Sequence, residues 1–187
     1  MKKKELISGV IILLVVAALA GFLLAQVYAL TLPRIEEQKR LEAEGLYRAL
    51  FPEGVKFEPG RTGDLKTTAV FDHSGQKIGL VVEKRVTGYG GEMLLVVGVS
   101  PEGSISGVKI LQHNETPGLG AKVAREDFLK QFQDLKYNEV YLKNTTPEGK
   151  IDAISGATIS SRAVTDGVRK VLESVRNQPG KTGEEDL

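Results

Sequence analysis

The chain has 187 residues, with 25 Lys and Arg against 24 Asp and Glu, a formal net charge of +1; that balance argues against a nucleic-acid partner, which calls for a basic face. It has no cysteine, which excludes disulfides, thiolate zinc sites, cysteine-ligated iron–sulfur clusters and a cysteine nucleophile. Two histidines, His73 and His113, are too few to favour a multi-histidine metal or haem site, so a redox role would need an organic cofactor.

At the N-terminus, Lys2, Lys3 and Lys4 precede an uncharged run from Leu6 to Leu32. At 1.5 Å per residue the run spans roughly 40 Å, more than the hydrocarbon core of a bilayer. A cleaved signal peptide ending near Val27-Tyr28-Ala29 is the competing reading. Signal h-regions are shorter, roughly 7–15 residues, so a single-span anchor over residues 1–33 is expected. It would touch lipid through residues 6–32. The lysines keep the N-terminus cytoplasmic, leaving the rest of the chain outside a cell (inner) membrane.

Arg34 to Leu50 reads as a charged helix with few apolar positions, a stalk over 34–52 ended by Phe51-Pro52. Strand patterns follow at Thr67–Asp72, Lys77–Thr87, Met93–Ser100 and Ser104–Leu111, with turns at Asp72-His73-Ser74-Gly75 and Pro101-Glu102-Gly103. They predict an antiparallel meander. Arg125–Phe132 reads as a short helix and Glu139–Leu142 as a short strand. Val164, Val168, Val171, Leu172 and Val175 form one apolar stripe on a helix over Ala163–Arg176. The class is α+β: one N-terminal transmembrane helix, then one extracytoplasmic domain over 53–176 with an antiparallel sheet. Residues 177–187 read as a loose tail.

Two phosphate-binding patterns fail their spacing. Gly180-Lys181-Thr182 would need a glycine at Val175, inside a helix, and Gly118-Leu119-Gly120 would need one at Val123. Three glycine-rich polar segments remain. Thr87-Gly88-Tyr89-Gly90-Gly91 suits either a strand-connecting turn or a backbone that approaches a flat ligand. His113 to Lys122, with Pro117-Gly118 as a tight turn, suits either a loop leading into a helix or a binding loop. Asp152 to Ser161 runs into the last helix. Its Ser155, Thr158, Ser160 and Ser161 are ordinary caps on one reading. On the other, they sit where free N–H groups and the positive end of the helix dipole seat a phosphate, by hydrogen bonds or covalently.

Asp152-Ala153-Ile154-Ser155-Gly156-Ala157-Thr158 resembles the flavinylation motif of the FMN-binding domain family, and the other two segments match that family in the same order. The resemblance covers about residues 65–175. With one span and a short stalk, the chain resembles the family of G subunits from Rnf-type ion-translocating electron transport complexes. The longer C subunit of the sodium-pumping quinone reductase is the second resemblance, for which this chain is short. The first implies covalent FMN, esterified through its phosphate to Thr158 by a separate flavin transferase that uses FAD and recognises Asp152. It implies an electron relay, with no catalytic side chain and no metal, among the other membrane subunits of a ferredoxin:NAD oxidoreductase. Ser155, Ser160 and Ser161 would then donate hydrogen bonds to phosphate or ribityl oxygens, with Gly156 and Ala157 leaving space for the cofactor beside them. Tyr89, Gly90, Glu115, Thr116, Gly118, Leu119 and Gly120 would line the ring or ribityl chain. If the three segments are only turns, the chain is a cofactor-free, membrane-anchored interaction module.

Overall fold

The computed structural model describes residues 2–177. The tail expected to be loose, with its Gly180-Lys181-Thr182 near-match, otherwise lies outside the described residues. The chain divides into two compact units, Met1–Glu44 and Gly45–Leu187.

The first unit is helical. Helix α1 runs from Lys2 to Leu50 without interruption, carrying Pro33 inside it. Its apolar part, Ile7–Ile35, is 29 residues long; its most apolar 18-residue window has a mean hydropathy of 2.9, and none of that window is buried. At about 1.5 Å per residue this exceeds a bilayer core. An apolar face with no protein against it fits a single-pass membrane anchor.

The second unit begins inside that helix. Tyr47, Leu50 and the following Phe51 are buried in it. A sheet of five antiparallel strands follows in chain order: β1 (Lys56–Thr62), β2 (Leu65–Phe71), β3 (Lys77–Thr87), β4 (Glu92–Val99) and β5 (Ile105–His113). The alternation in β3 and β4 has a face to fill on each side. On one face, Phe51 occupies space left by Gly79 and Gly98: a Cβ at Gly79 would lie 2.3 Å from the ring. Val81 and Val96 share that face and are buried. On the other, Val82, Leu95 and Val97 pack with helix α3 (Thr158–Arg176) through Val164, Val168, Val171, Leu172 and Val175. Gly167 lets α3 approach closely, because a Cβ there would lie 2.5 Å from Val86 Cγ1. Between β5 and α3 the chain folds as short turns around Val123, Phe128, Phe132 and Ile151, including α2 (Glu126–Leu129).

Three expectations change. Strand β1 is not visible in the pattern because Pro59 and Gly60 interrupt it. It is an edge strand, where a residue without an N–H costs no ladder bond. Glu139–Leu142 is no strand: Tyr137–Glu139 is a 3-10 turn, and Leu142 makes a single parallel bridge with Ile151. Helix α3 begins earlier than Ala163, at Thr158, with polar residues in its first turn.

Candidate functional site

The β3–β4 hairpin places Tyr89 at its tip, closed by a bond from the Gly88 N–H to the Gly91 carbonyl, 2.8 Å. The chain leaving β5 runs beside it: a Cβ at Gly90 would lie 2.6 Å from the Asn114 carbonyl oxygen. The start of α3 completes the group, as the Tyr89 N–H donates to Ser160 Oγ at 3.4 Å across 71 positions. Three segments distant in the chain thus meet around one cavity of about 430 Å³. Small-molecule sites span roughly 300–1,000 Å³.

From the hairpin, Tyr89 lines the cavity. From the second segment come Glu115, Thr116, Leu119 and Gly120, and from the third Gly156, Ala157, Thr158, Ile159 and Ser160. Tyr89, Leu119 and Ile159 are 73%, 47% and 59% exposed, an unusual concentration of apolar surface on one rim. Sequence reasoning misses Ile159. Its only signal is an apolar residue outside the stripe that runs from Val164 to Val175.

Thr158 is exposed and is the first residue of α3. Ala157 occupies the cap position and no side chain caps the helix. Among the described residues no cap side chain takes up the first N–H groups of the helix, and the positive dipole end faces an open cavity wall, which favours an anion.

Glu115 is 5% exposed. Its Oε2 accepts the Gly90 N–H at 3.2 Å, while Oε1 is buried without a partner among the described residues. The glycines around it make its room: a Cβ at Gly88 would lie 1.9 Å from Oε1, and one at Gly120 2.1 Å from Oε2. Two of the glycines that read as space for a ligand are thus space for a carboxylate. An orphaned buried oxygen costs about 1–3 kcal/mol unless a donor reaches it. A ligand with hydroxyl or ring N–H donors supplies one.

Five sequence candidates lie off the cavity wall. Ser161 is fully buried, with its hydroxyl spent locally: it donates to the Ala157 carbonyl at 2.9 Å and accepts the Ile154 N–H at 3.0 Å. In this structure it supports the loop and does not line the cavity. Gly90 supports Glu115, and Gly118, at φ +80°, makes the turn. Ser155 is exposed beside the wall. Asp152 is exposed and paired with Lys143. Among the described residues no cluster of His, Asp and Glu is arranged to hold a metal.

Residues 88–173 match the FMN-binding domain family, and residues 1–50 match the RnfG N-terminal region. The chain is 34% identical to the G subunit of the ion-translocating oxidoreductase complex of Methanosarcina acetivorans, over 95% of this chain and 98% of that one. It is 34% identical to the G subunit of the proton-translocating ferredoxin:NAD(+) oxidoreductase complex of Clostridium ljungdahlii, over 87% of each. To the Na(+)-translocating counterpart of Acetobacterium woodii it is 33% identical, over 89% and 90%. The crystal structure of Shewanella oneidensis NqrC shares the fold, with a TM-score of 0.50 and 23% identity over 65% of this chain and 67% of that one. The chain belongs to the RnfG family, the G subunits of ion-translocating oxidoreductase complexes, and carries that family's FMN-binding domain behind an apolar N-terminal helix.

Proposed function

We propose that this chain is an electron-relay subunit of a membrane-bound, ion-translocating ferredoxin:NAD oxidoreductase, with FMN bound covalently at Thr158. The observation that carries the reading is the position of Thr158: exposed, at an uncapped helix start, on the wall of the cavity where all three glycine-rich segments meet. FMN, when bound, supplies reversible electron transfer, and the protein supplies placement. The helix start and Ser160 would hold the phosphate, and Glu115 would accept a hydrogen bond from the ribityl chain or ring. Tyr89, Leu119 and Ile159 offer apolar surface to the ring.

Attachment is a group transfer from FAD on a flavin transferase. Thr158 Oγ forms a bond to the FMN phosphorus, the bond from that phosphorus to the bridging oxygen of AMP breaks, AMP leaves, and the hydroxyl proton is released. Helix α1 anchors the chain through residues 6–32 beside the other membrane subunits of the complex. Lys2, Lys3 and Lys4 hold its start in the cytoplasm of the cell membrane, leaving the domain outside.

The test is Thr158→Ala in cells that contain the transferase. Covalent flavin fluorescence in a denaturing gel and the mass on the peptide 151–162 should both vanish, while the domain stays folded. Retained fluorescence, or the mass on Ser160 or Ser161, overturns the assignment.

A further inference from the structure

The acceptor loop, Asp152 to Ala157, is held by partners outside its own sequence motif. Just before it, the Ile151 N–H donates to the Tyr141 carbonyl, and the Lys143 N–H donates to the Ile151 carbonyl, both at 3.0 Å. Within it, the Ile154 N–H is taken by Ser161 Oγ. Between these ties sits a two-pronged contact from another segment. The Asp152 N–H donates to Gln131 Oε1 at 2.8 Å, and Gln131 Nε2 donates to the Asp152 carbonyl at 3.4 Å. One side-chain amide thus pairs with both backbone groups of one residue, as a neighbouring strand would.

Gln131 is itself fixed. It lies on the 3-10 turn Lys130–Phe132, beside the fully buried Phe132, whose ring packs edge-on against Phe128 with centroids 5.6 Å apart. Besides the ties above, the loop is ordered by the exposed Lys143–Asp152 pair and by a bond from the Ala157 N–H to the Ile154 carbonyl at 2.9 Å. Ala153, Ser155 and Gly156 are exposed, and Gly156 takes a left-handed φ of +79°. Exposed residues bury little surface against the entropy of fixing them. A clamp reaching from a rigid element is what keeps such a site in one geometry.

We infer that Gln131 is a positioning residue for modification of Thr158: it holds Asp152 and the acceptor loop in the shape the flavin transferase reads. The inference rests on the covalent-FMN reading above. In the transfer, Oγ–P forms and the phosphorus–AMP bond of FAD breaks; Gln131 touches neither bond. Without the clamp the loop samples other shapes, and only a fraction of chains present the recognised one. Apparent affinity falls by that fraction, while turnover of correctly bound chains does not. The effect is therefore a higher KM for the chain as substrate, with kcat nearly unchanged.

The experiment uses the full chain, purified without flavin in detergent, with purified transferase and FAD, and reads covalent flavin against time. Gln131→Met keeps the side chain's length and removes both amide groups. Leu172→Ala, in the core and away from the loop, serves as a stability control. Expected for Gln131→Met is a KM for the chain at least tenfold higher with kcat within about threefold. Leu172→Ala should load within twofold of the parent despite an equal or larger fall in Tm. If Gln131→Met does not yield folded chain, Gln131→Asn, whose amide is one methylene short of Asp152, carries the same expectation. A KM within twofold of the parent, or loading that falls in step with Tm across both variants, overturns the role of Gln131. A parent chain that takes no flavin, or a Thr158→Ala variant that loads like the parent, overturns the covalent-FMN reading instead.

Discussion

Glu115 shows how a single residue shapes the sequence around it. Its carboxylate occupies the space that side chains at Gly88 and Gly120 would fill, so those glycines are explained without a ligand. Gly88→Ala should cost about 1–3 kcal/mol, typical of overpacking. Combined with Glu115→Ala, its cost should shrink, because the nearest colliding atom is gone and only the flexible end of Met93, at 2.9 Å, remains; a double-mutant cycle on thermal unfolding measures the coupling, and simple additivity would refute the contact. Asp152 behaves differently. Its partner is the exposed Lys143, and an exposed pair contributes about 0–1 kcal/mol. Asp152→Ala should therefore lower covalent flavin, read as fluorescence of the denatured band, far more than it lowers Tm. Equal loss of both would make Asp152 merely structural.

At the scale of elements, legibility followed the strength of local signals. Strand β3 was readable to its ends, Lys77 and Thr87, since a stretch rich in Ile, Leu and Val lies between the Asp72–Gly75 turn and the glycines from Gly88 on. Strand β1 was not, because Pro59 and Gly60 are strand residues only by virtue of an edge position that no local pattern reveals. The stripe of α3 was plain, yet its first turn is polar because it faces the cavity, so the helix start was read too late. The three motif loops were visible singly. Their meeting was not, since the bond from Tyr89 to Ser160 joins residues 71 apart. Gln131 gave no signal at all, because its partner is a backbone group whose position only the fold sets.

Two predictions belong to elements. Gly167→Ala gains about 0.8–1.0 kcal/mol of helix propensity but drives a methyl into the stiff Val86 side chain. The net expected is about 1–2 kcal/mol of destabilisation, roughly 2–8 °C in Tm; a rise in Tm would mean α3 can ride outward freely. In the β2–β3 turn, the Ser74 hydroxyl and then the backbone N–H groups of Gln76, Ser74 and Gly75 hold the Asp72 carboxyl below the ordinary carboxylate range. A pKa lowered on folding gives stability that is present above the unfolded value and lost as pH falls through the folded one. The difference in urea midpoint between the parent and Asp72→Asn should therefore be full at neutral pH and shrink below about pH 4. A constant difference down to about pH 2 would exclude this role.

For the whole molecule, the first expectation is topological. Protease added to intact spheroplasts should digest the domain and spare the cytoplasmic end; a protected domain would reverse the orientation. The second consequence concerns time. The five strands are nested in chain order, each paired with the one made just before it. Such pairings close short loops and form early. The segment that bears Thr158 is among the last to be synthesised, and its helix lies on β3 and β4, which must already be paired. In the proposed orientation the residues after the anchor cross the membrane in chain order, so the sheet can assemble while the acceptor segment is still inside. A domain delivered in this order acquires its cofactor seat at the final step of folding. On the proposed covalent-FMN reading and orientation, flavin attachment is then a post-export event, and the transferase and its FAD would have to be supplied on the side where folding ends.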